Sequence, residues 1–185
     1  GEIMLSTLLE QMLAPNQYMA QVQVKKNCKE RVDFAVIMPG RDGREILLPI
    51  DSKFPLEDYN RLVEVSETLD KDLIEKTQKQ LEKRIKEEAK SIKEKYINVP
   101  ETTDFALMFL PNEGLYAEVV RNIGLMDTLQ NDFKIVVCGP TTLTALLNSL
   151  QLGFKTLYIE KRSSELWQLL STFKQEFSKY MLLLS

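Results

Sequence analysis

The stretch Pro49-Ile50-Asp51-Ser52-Lys53-Phe54-Pro55 places two opposite charges at the end of a run of branched apolar residues. That run, residues 45–50, predicts a β-strand. Side chains two positions apart in a strand share a face, so Asp51 and Lys53 are expected to project together. Opposite charges beside an apolar strand either pair with each other or belong to a site. An ordinary surface ion pair and a functional site are both open at this point.

A second aspartate, Asp33, opens another apolar run at residues 34–38, and the two runs are joined by a turn containing Asp42-Gly43. Asp-Gly between apolar runs is a strong hairpin signal. A hairpin of this kind can bring two carboxylates and a lysine to one end of a sheet. Carboxylate oxygens are suitable ligands for Mg²⁺ or Mn²⁺, and a bound metal can activate water and neutralise phosphate charge. The pattern is therefore compatible with metal-dependent phosphodiester hydrolysis.

Composition excludes several other chemistries. The 185 residues contain no histidine, which excludes Ser-His-Asp and Cys-His nucleophilic schemes and histidine-ligated zinc. The two cysteines form no CxxC motif, which is typical of a reducing compartment and gives no zinc signal. A net charge of −3 provides no global basic field, so any contact with nucleic acid requires a local patch.

The apolar runs are too short to span a bilayer, and no signal peptide is present. We therefore predict a cytoplasmic location and no membrane contact within this fragment. The first residues already have a helical pattern, which suggests an excised piece of a longer protein. A membrane anchor in a missing N-terminal segment stays compatible with the sequence.

The hydrophobic pattern predicts an alternation of helices and strands along the chain. The predicted helices are residues 2–13, about 56–96, about 115–129, about 140–152 and from 163 onward, and the predicted strands are residues 18–25, 33–38, 45–50, 104–110 and 134–138. The run at residues 104–110 is continuously apolar, which indicates a central strand buried on both faces.

The charged region between residues 56 and 97 has a narrow apolar line, which favours a helical hairpin or a coiled-coil arm. Residues 76–95 include eight basic and four acidic side chains, so this face either follows a nucleic-acid backbone or is simply solvated. The apolar helix from Ser163 either folds back onto the core or meets another chain. A homo-oligomer formed through the arm or through this terminal helix is one of the expectations.

Three further polar residues lie where elements begin. Glu2 falls beside the apolar stripe of the first helix, either as a functional carboxylate or as a first-turn acid favoured by the helix dipole. Glu113 and Thr141 follow predicted strands and start helices, which is where α/β folds bind ligands. Caps and turns explain these two residues equally well.

With these elements placed, the chain resembles the RmuC family of DNA recombination proteins. The resemblance spans most of the chain, and its motifs are specific only together and in this order. They are Gly1-Glu2 before a leucine-rich helix, Val32-Asp33-Phe34-Ala35-Val36, Ile50-Asp51-Ser52-Lys53-Phe54-Pro55-Leu56 with Tyr59, Phe109-Leu110-Pro111-Asn112-Glu113 and Pro140-Thr141-Thr142-Leu143.

The resemblance implies an α/β fold with a restriction-endonuclease-like core of the PD-(D/E)xK type: helix, three-strand meander, helix, strand. The long charged helical arm would be an insertion, and the extra strand and helices would follow at the C-terminal end. By the same resemblance, Asp33 and Asp51 are metal-binding acids, Lys53 is the motif lysine and Glu2 completes the metal site. Val32 stands where the family usually has proline. The implied role is in limiting DNA rearrangement.

We therefore predict a Mg²⁺- or Mn²⁺-dependent deoxyribonuclease domain over residues 1–160 and a C-terminal helix over residues 161–185. Asp33, Asp51 and Glu2 would bind the metal, and Lys53 would position the attacking water. The predicted substrate contacts are Tyr59, Glu113 and Thr141. The first alternative is a DNA-binding or assembly scaffold that keeps the nuclease fold without turnover. The second is a helical adaptor, favoured if Asp33 and Asp51 lie far apart.

Overall fold

The computed structural model describes residues 1–160 and 163–183, in which five strands form one mixed sheet and seven α-helices surround it. The strands are β1 Tyr18–Val22, β2 Val32–Pro39, β3 Glu45–Ser52, β4 Ala106–Phe109 and β5 Ile135–Cys138. The helices are α1 Glu2–Met12, α2 Leu56–Ser66, α3 Lys71–Tyr96, α4 Glu113–Arg121, α5 Ile123–Asn131, α6 Pro140–Glu160 and α7 Ser163–Leu183.

The five strands lie in the sheet in chain order. β1, β2 and β3 form an antiparallel meander, whereas β4 and β5 continue from β3 in parallel. The predicted order of helix, three strands, helical region and strand is therefore confirmed as an order of elements. Because the register aligns Ser52 with Phe109 and Phe109 with Cys138, the carboxyl ends of the parallel strands meet at one edge. The start of β2 lies at the same edge, since Phe34 pairs with Ile50.

Successive side chains at the end of β3 point to opposite faces of the sheet and contact different helices. Lys53, just beyond the strand, contacts Glu88 of α3, whereas the Ser52 side chain points to the opposite face, where Gly1 precedes α1. Both β4 and β5 are buried at every position. This burial confirms the predicted central strand and reflects helices packed on both faces, although β4 is shorter than the predicted residues 104–110 and Asp104 is exposed.

The charged region folds as a helical hairpin, one of the two predicted alternatives. The side chain of Asp70 caps α3 by accepting a hydrogen bond from the backbone N of Leu73. The buried face of α3 reaches the core through Thr77, Leu81, Ile85, Ala89, Ile92 and Tyr96. Leu69, predicted within the apolar line, is instead 83% exposed in the connection between the two helices.

The largest differences from the predicted boundaries are in three elements. The helix predicted at about 115–129 is two helices, because Asn122 ends α4 and its side chain caps α5 through the backbone N of Leu125. α6 continues beyond the predicted end near residue 152, with Gly153 buried inside the helix. β1 stops at Val22 instead of residue 25, and its last pair with β2 is Val22 with Val32.

The terminal helix α7 folds back onto the core, as one of its two interpretations expected. Leu170, Phe177 and Met181 are buried. The Leu166 and Trp167 side chains and Leu184, which the sequence also assigned to the stripe, lie outside the described residues. Among the helices described, none is both long enough and apolar enough to cross a membrane.

Candidate functional site

Asp33 and Asp51 face each other across the β2–β3 pair at the edge where the parallel strands end. The backbone N of Asp33 donates to Asp51 Oδ1 at 3.3 Å, and the backbone N of Ser52 donates to Asp33 Oδ2 at 2.8 Å. Each carboxylate is thus held by the backbone of the neighbouring strand. The two acids lie close together, which removes the condition that favoured a helical adaptor.

The two carboxylates lie in a partly dry environment. Asp51 is 3% exposed, and Asp33 is half-buried. Burial and then the charge of Asp51 raise the pKa of Asp33 to about 6, and Glu2 adds a smaller increase. The hydrogen bond from Ser52 opposes this rise in pKa. Two acids that repel each other in this way favour the uptake of a proton or a cation between them.

We expect the raised pKa of Asp33 to be measurable in metal-free protein by carboxyl-carbon NMR. The resonance should titrate near pH 6, and the Asp51→Asn variant should shift that midpoint toward the ordinary aspartate value. Because the native state holds this proton more tightly than the unfolded chain does, the stability contribution of Asp33 falls as pH rises from about 4 to about 6. A midpoint near 4 in both proteins contradicts this description of the pair.

Lys53 joins the aspartate pair. Its Nζ lies 3.0 Å from Asp51 Oδ2 and 3.6 Å from Glu88 Oε2, and its backbone N donates to the carbonyl of Phe109 at 3.0 Å. Burial lowers the pKa of Lys53, but the charge and hydrogen bond of Asp51, with a smaller effect of Glu88, leave it above its ordinary value. Lys53 is therefore a protonated cation held in place by Asp51 and Glu88.

Glu88 and Arg84 of α3 extend the charged network, and neither was predicted as a site residue. Arg84 Nε lies 3.3 Å from Glu88 Oε1, one helical turn away, and Glu88 in turn faces Lys53. Glu88 directly precedes the buried Ala89, so it flanks the buried face of α3. The position of Glu88 beside the apolar stripe of α3 could have been read from the sequence. Only the packing of α3 on the sheet shows that Glu88 faces the end of β3.

Glu2 lies at the border of this group. It is exposed, and its Oε1 accepts a hydrogen bond from Gln21 Nε2 at 2.8 Å. Gln21 occupies the left-handed region in the part of β1 that runs beside Asp33, and Arg31 donates to its carbonyl at 3.0 Å. Glu2 is thus tied to β1 while its charge still acts on Asp33. The alternating pattern of β1 gave no signal for this conformation of Gln21.

The three predicted substrate contacts lie around the starts of α2, α4 and α6. The Tyr59 hydroxyl lies so close to Gly114 that a Cβ there would clash with it, so this tyrosine packs against the first turn of α4. Glu113 Oε1 accepts a hydrogen bond from the backbone N of Thr141 at 2.7 Å. This bond ties the start of α4 to the start of α6. Contact of Tyr59, Glu113 and Thr141 with substrate stays a prediction.

Asp33 and Asp51 are two carboxylates in mutual contact, and a divalent cation bound there would need further ligands from water or substrate. The described residues contain no group of three or more Asp, Glu, Cys or His side chains arranged to hold a metal. Mg²⁺ is commonly bound by one or two carboxylates, with water and substrate phosphate completing its shell. Asp33 and Asp51 supply hard oxygen ligands of this kind, and their mutual repulsion would be relieved by a cation.

Comparison with known proteins agrees with the sequence resemblance. The model of the RmuC family matches residues 1–184. A protein of Xylella fastidiosa, strain Temecula1, named DNA recombination protein RmuC homolog, is 54% identical over 182 residues, which are 97% of this chain and 40% of the relative. A protein of the same name from Chlamydia muridarum is 26% identical over 174 residues, covering 91% of this chain and 37% of the relative.

The chain spans about 40% of the length of the first of these relatives, so it corresponds to one part of a longer protein there. No solved structure matches the fold. The family model covers nearly the whole chain, and the Asp33, Asp51 and Lys53 cluster lies within the matched residues. The chain belongs to the RmuC family.

Proposed function

We propose that this domain hydrolyses DNA phosphodiester bonds with the help of Mg²⁺ or Mn²⁺. The observation that carries the proposal is the contact of Asp33, Asp51 and Lys53 at one edge of the sheet, with Lys53 Nζ 3.0 Å from Asp51 Oδ2. Carboxylates that hold a cation beside a fixed ammonium group are suited to a reaction in which negative charge develops on a phosphate. DNA as the substrate class is supported by the name DNA recombination protein given to the relatives.

The roles follow from burial and charge. Asp51 and Asp33 would hold the cation, and Glu2, tied to Gln21, would add negative charge from the side of α1. The cation would lower the pKa of a bound water and neutralise phosphate charge. Lys53, protonated through its contact with Asp51, would orient the attacking water and stabilise charge on the phosphate oxygens. Tyr59, Glu113 and Thr141 would form the neighbouring wall of the substrate groove.

The element order supports a core of the PD-(D/E)xK type. α1 precedes the β1–β3 meander, the α2–α3 hairpin crosses to β4, and the acids lie on β2 and β3. In this proposal the charged hairpin is the expanded crossing element, and β5 with its flanking helices is the C-terminal extension. Association of two chains through the hairpin or α7 is an accompanying proposal.

A DNA-binding scaffold without turnover is the second candidate. It is favoured by one observation: Lys53 is already engaged by Asp51 and by Glu88, which is itself paired with Arg84. A lysine held by two carboxylates has less freedom to meet a phosphate. In the nuclease proposal, Asp51 would bind the cation, its charge would be neutralised there, and Lys53 would then be available to the substrate.

The function is tested by incubating the protein with labelled single- and double-stranded DNA in Mg²⁺, in Mn²⁺ and in EDTA. The proposal expects cleavage with either metal, none in EDTA, and full recovery when the metal is restored. Binding of DNA without cleavage under all three conditions supports the scaffold and contradicts the nuclease. A nuclease contaminant is excluded when the Asp51→Asn protein, purified in parallel, does not cut.

A further inference from the structure

The connection between β1 and β2, residues 23–31, is a second feature of the edge that carries the aspartates; we call it the basic loop. It contains four basic residues and one acidic residue. Because Val22 pairs with Val32, the loop leaves and re-enters the sheet next to Asp33. Lys26, Lys29 and Arg31 are exposed. In the described part of the chain, Lys26 and Lys29 have no ion-pair partner.

The backbone of the basic loop is fixed from within. Gln23 Nε2 lies 3.0 Å from the carbonyl oxygen of Cys28, 3.2 Å from that of Lys25 and 3.4 Å from that of Lys26. The backbone N of Cys28 also donates to the carbonyl of Lys25 at 3.2 Å. One carboxamide therefore organises a turn in which the Lys26 and Lys29 side chains are exposed. A turn organised in this way pays less conformational entropy when it binds a ligand.

The C-terminal end of α3 fixes the same loop from outside. The Tyr96 hydroxyl donates to the carbonyl of Arg31 at 3.2 Å, and Asn98 Nδ2 donates to the carbonyl of Val24 at 2.8 Å. Lys95 pairs with Glu30 at 2.5 Å, which neutralises the acidic side chain of the loop. Burial and the charges of Asp51, Glu30 and Asp33 raise the pKa of Tyr96, which keeps its hydroxyl a donor beside the carboxylates.

The charges around the aspartate pair suggest a role for the basic loop in binding DNA. Asp33, Asp51 and Glu2 repel a polyanion, and the whole chain has a net charge of −3. A DNA strand can approach such a site only when cations beside it hold the phosphates that flank the reacting one. We propose that the basic loop binds the DNA backbone next to the aspartate pair, with Lys26, Lys29 and Arg31 contacting phosphates. The inference rests on the proposed function for its choice of DNA as ligand.

A competing surface exists on α3 and supplies a matched control. Lys76 and Lys83 lie seven residues apart along one face of α3, are exposed, and have no ion-pair partner in the described residues. This surface belongs to the basic stretch of residues 76–95, whose excess of positive charge is compatible with binding to a nucleic-acid backbone. Neutralising two lysines on either surface changes the net charge equally, so only the position of the charge differs.

The test measures binding of a fluorescent duplex DNA by anisotropy in EDTA, over a series of salt concentrations. The Lys26→Gln/Lys29→Gln protein should bind at least about tenfold more weakly at 0.1 M salt, with a salt-dependence slope reduced by about 2. The Lys76→Gln/Lys83→Gln protein should match the parent in both quantities. A Gln23→Leu protein, which keeps every charge, should bind several-fold more weakly with the parent slope.

The possible results distinguish a failure of the basic-loop inference from a failure of the nuclease proposal. If the loop variants bind as the parent does, or if only the α3 control weakens binding, the basic loop is not the DNA contact, whatever the nuclease test shows. If binding depends on the loop but no metal or cleavage is found, the inference stands and the scaffold replaces the nuclease. A parent protein that binds no DNA overturns the inference.

Discussion

Replacing Lys53 with methionine is expected to lower the rate of DNA cleavage by about 100- to 1,000-fold, the range found when one preorganised charge-stabilising donor is removed from an active site. Methionine keeps the apolar stem of the side chain but removes the ammonium group that contacts Asp51 Oδ2 at 3.0 Å. Metal affinity should be retained, because both aspartates remain. Single-turnover cleavage of labelled DNA, measured beside Mn²⁺ binding, checks both expectations.

Lys90→Met is the matched control for this change. Lys90 lies on α3, its side chain is 64% exposed, and its ion-pair partner among the described residues is Glu94 at 3.9 Å. It should therefore cut at the parent rate. A Lys53→Met protein that cuts within threefold of the parent contradicts the role of Lys53 in catalysis. A loss of both cleavage and metal binding would instead assign Lys53 to the assembly of the site.

Replacing Asp51 with asparagine is expected to abolish cleavage within the detection limit, a loss of more than about 1,000-fold. Asparagine has nearly the same shape but lacks the charge that would hold the cation. The fold should persist, because the substitution removes the repulsion with Asp33 that contributes to the raised Asp33 pKa. Circular dichroism and thermal unfolding verify that the protein is folded before cleavage is compared.

Asp42→Asn controls for the same chemical change away from the site. Asp42 lies in the turn between β2 and β3, at the opposite end of the hairpin from Asp33 and Asp51, with a positive φ of 61° that asparagine also tolerates. Its cleavage rate should equal that of the parent. Equal loss in the two variants would mean that the effect is general and does not come from the aspartate pair.

The central part of the site could be predicted from the sequence because it depends on local rules. The alternation of side chains along β3 places Asp51 and Lys53 on one face, and the Asp-Gly turn sets β2 against β3 so that Asp33 meets Asp51. Both rules act within about twenty residues of chain. The continuous apolar pattern of β4 likewise indicated burial on both faces.

The remaining features depend on packing that the local pattern does not encode. Glu88 reaches Lys53 only because the buried face of α3 lies across the sheet, 35 residues further along the chain. Gln21 adopts its positive φ inside a strand whose sequence alternates regularly. The break at Asn122 did have a local signal, since asparagine is a favoured helix cap. The helical spacing of apolar residues continues across residues 115–129, so the sequence pattern predicted a single helix there.

Titration of Mn²⁺ into the parent and the Asp51→Asn protein by isothermal calorimetry tests the central claim most directly. The proposal expects saturable binding in the parent and none in the variant, because Asp33 alone cannot replace the facing carboxylate pair. Equal binding in the two proteins would place the metal elsewhere and contradict the site. Absence of binding in the parent would contradict the metal-dependent function itself.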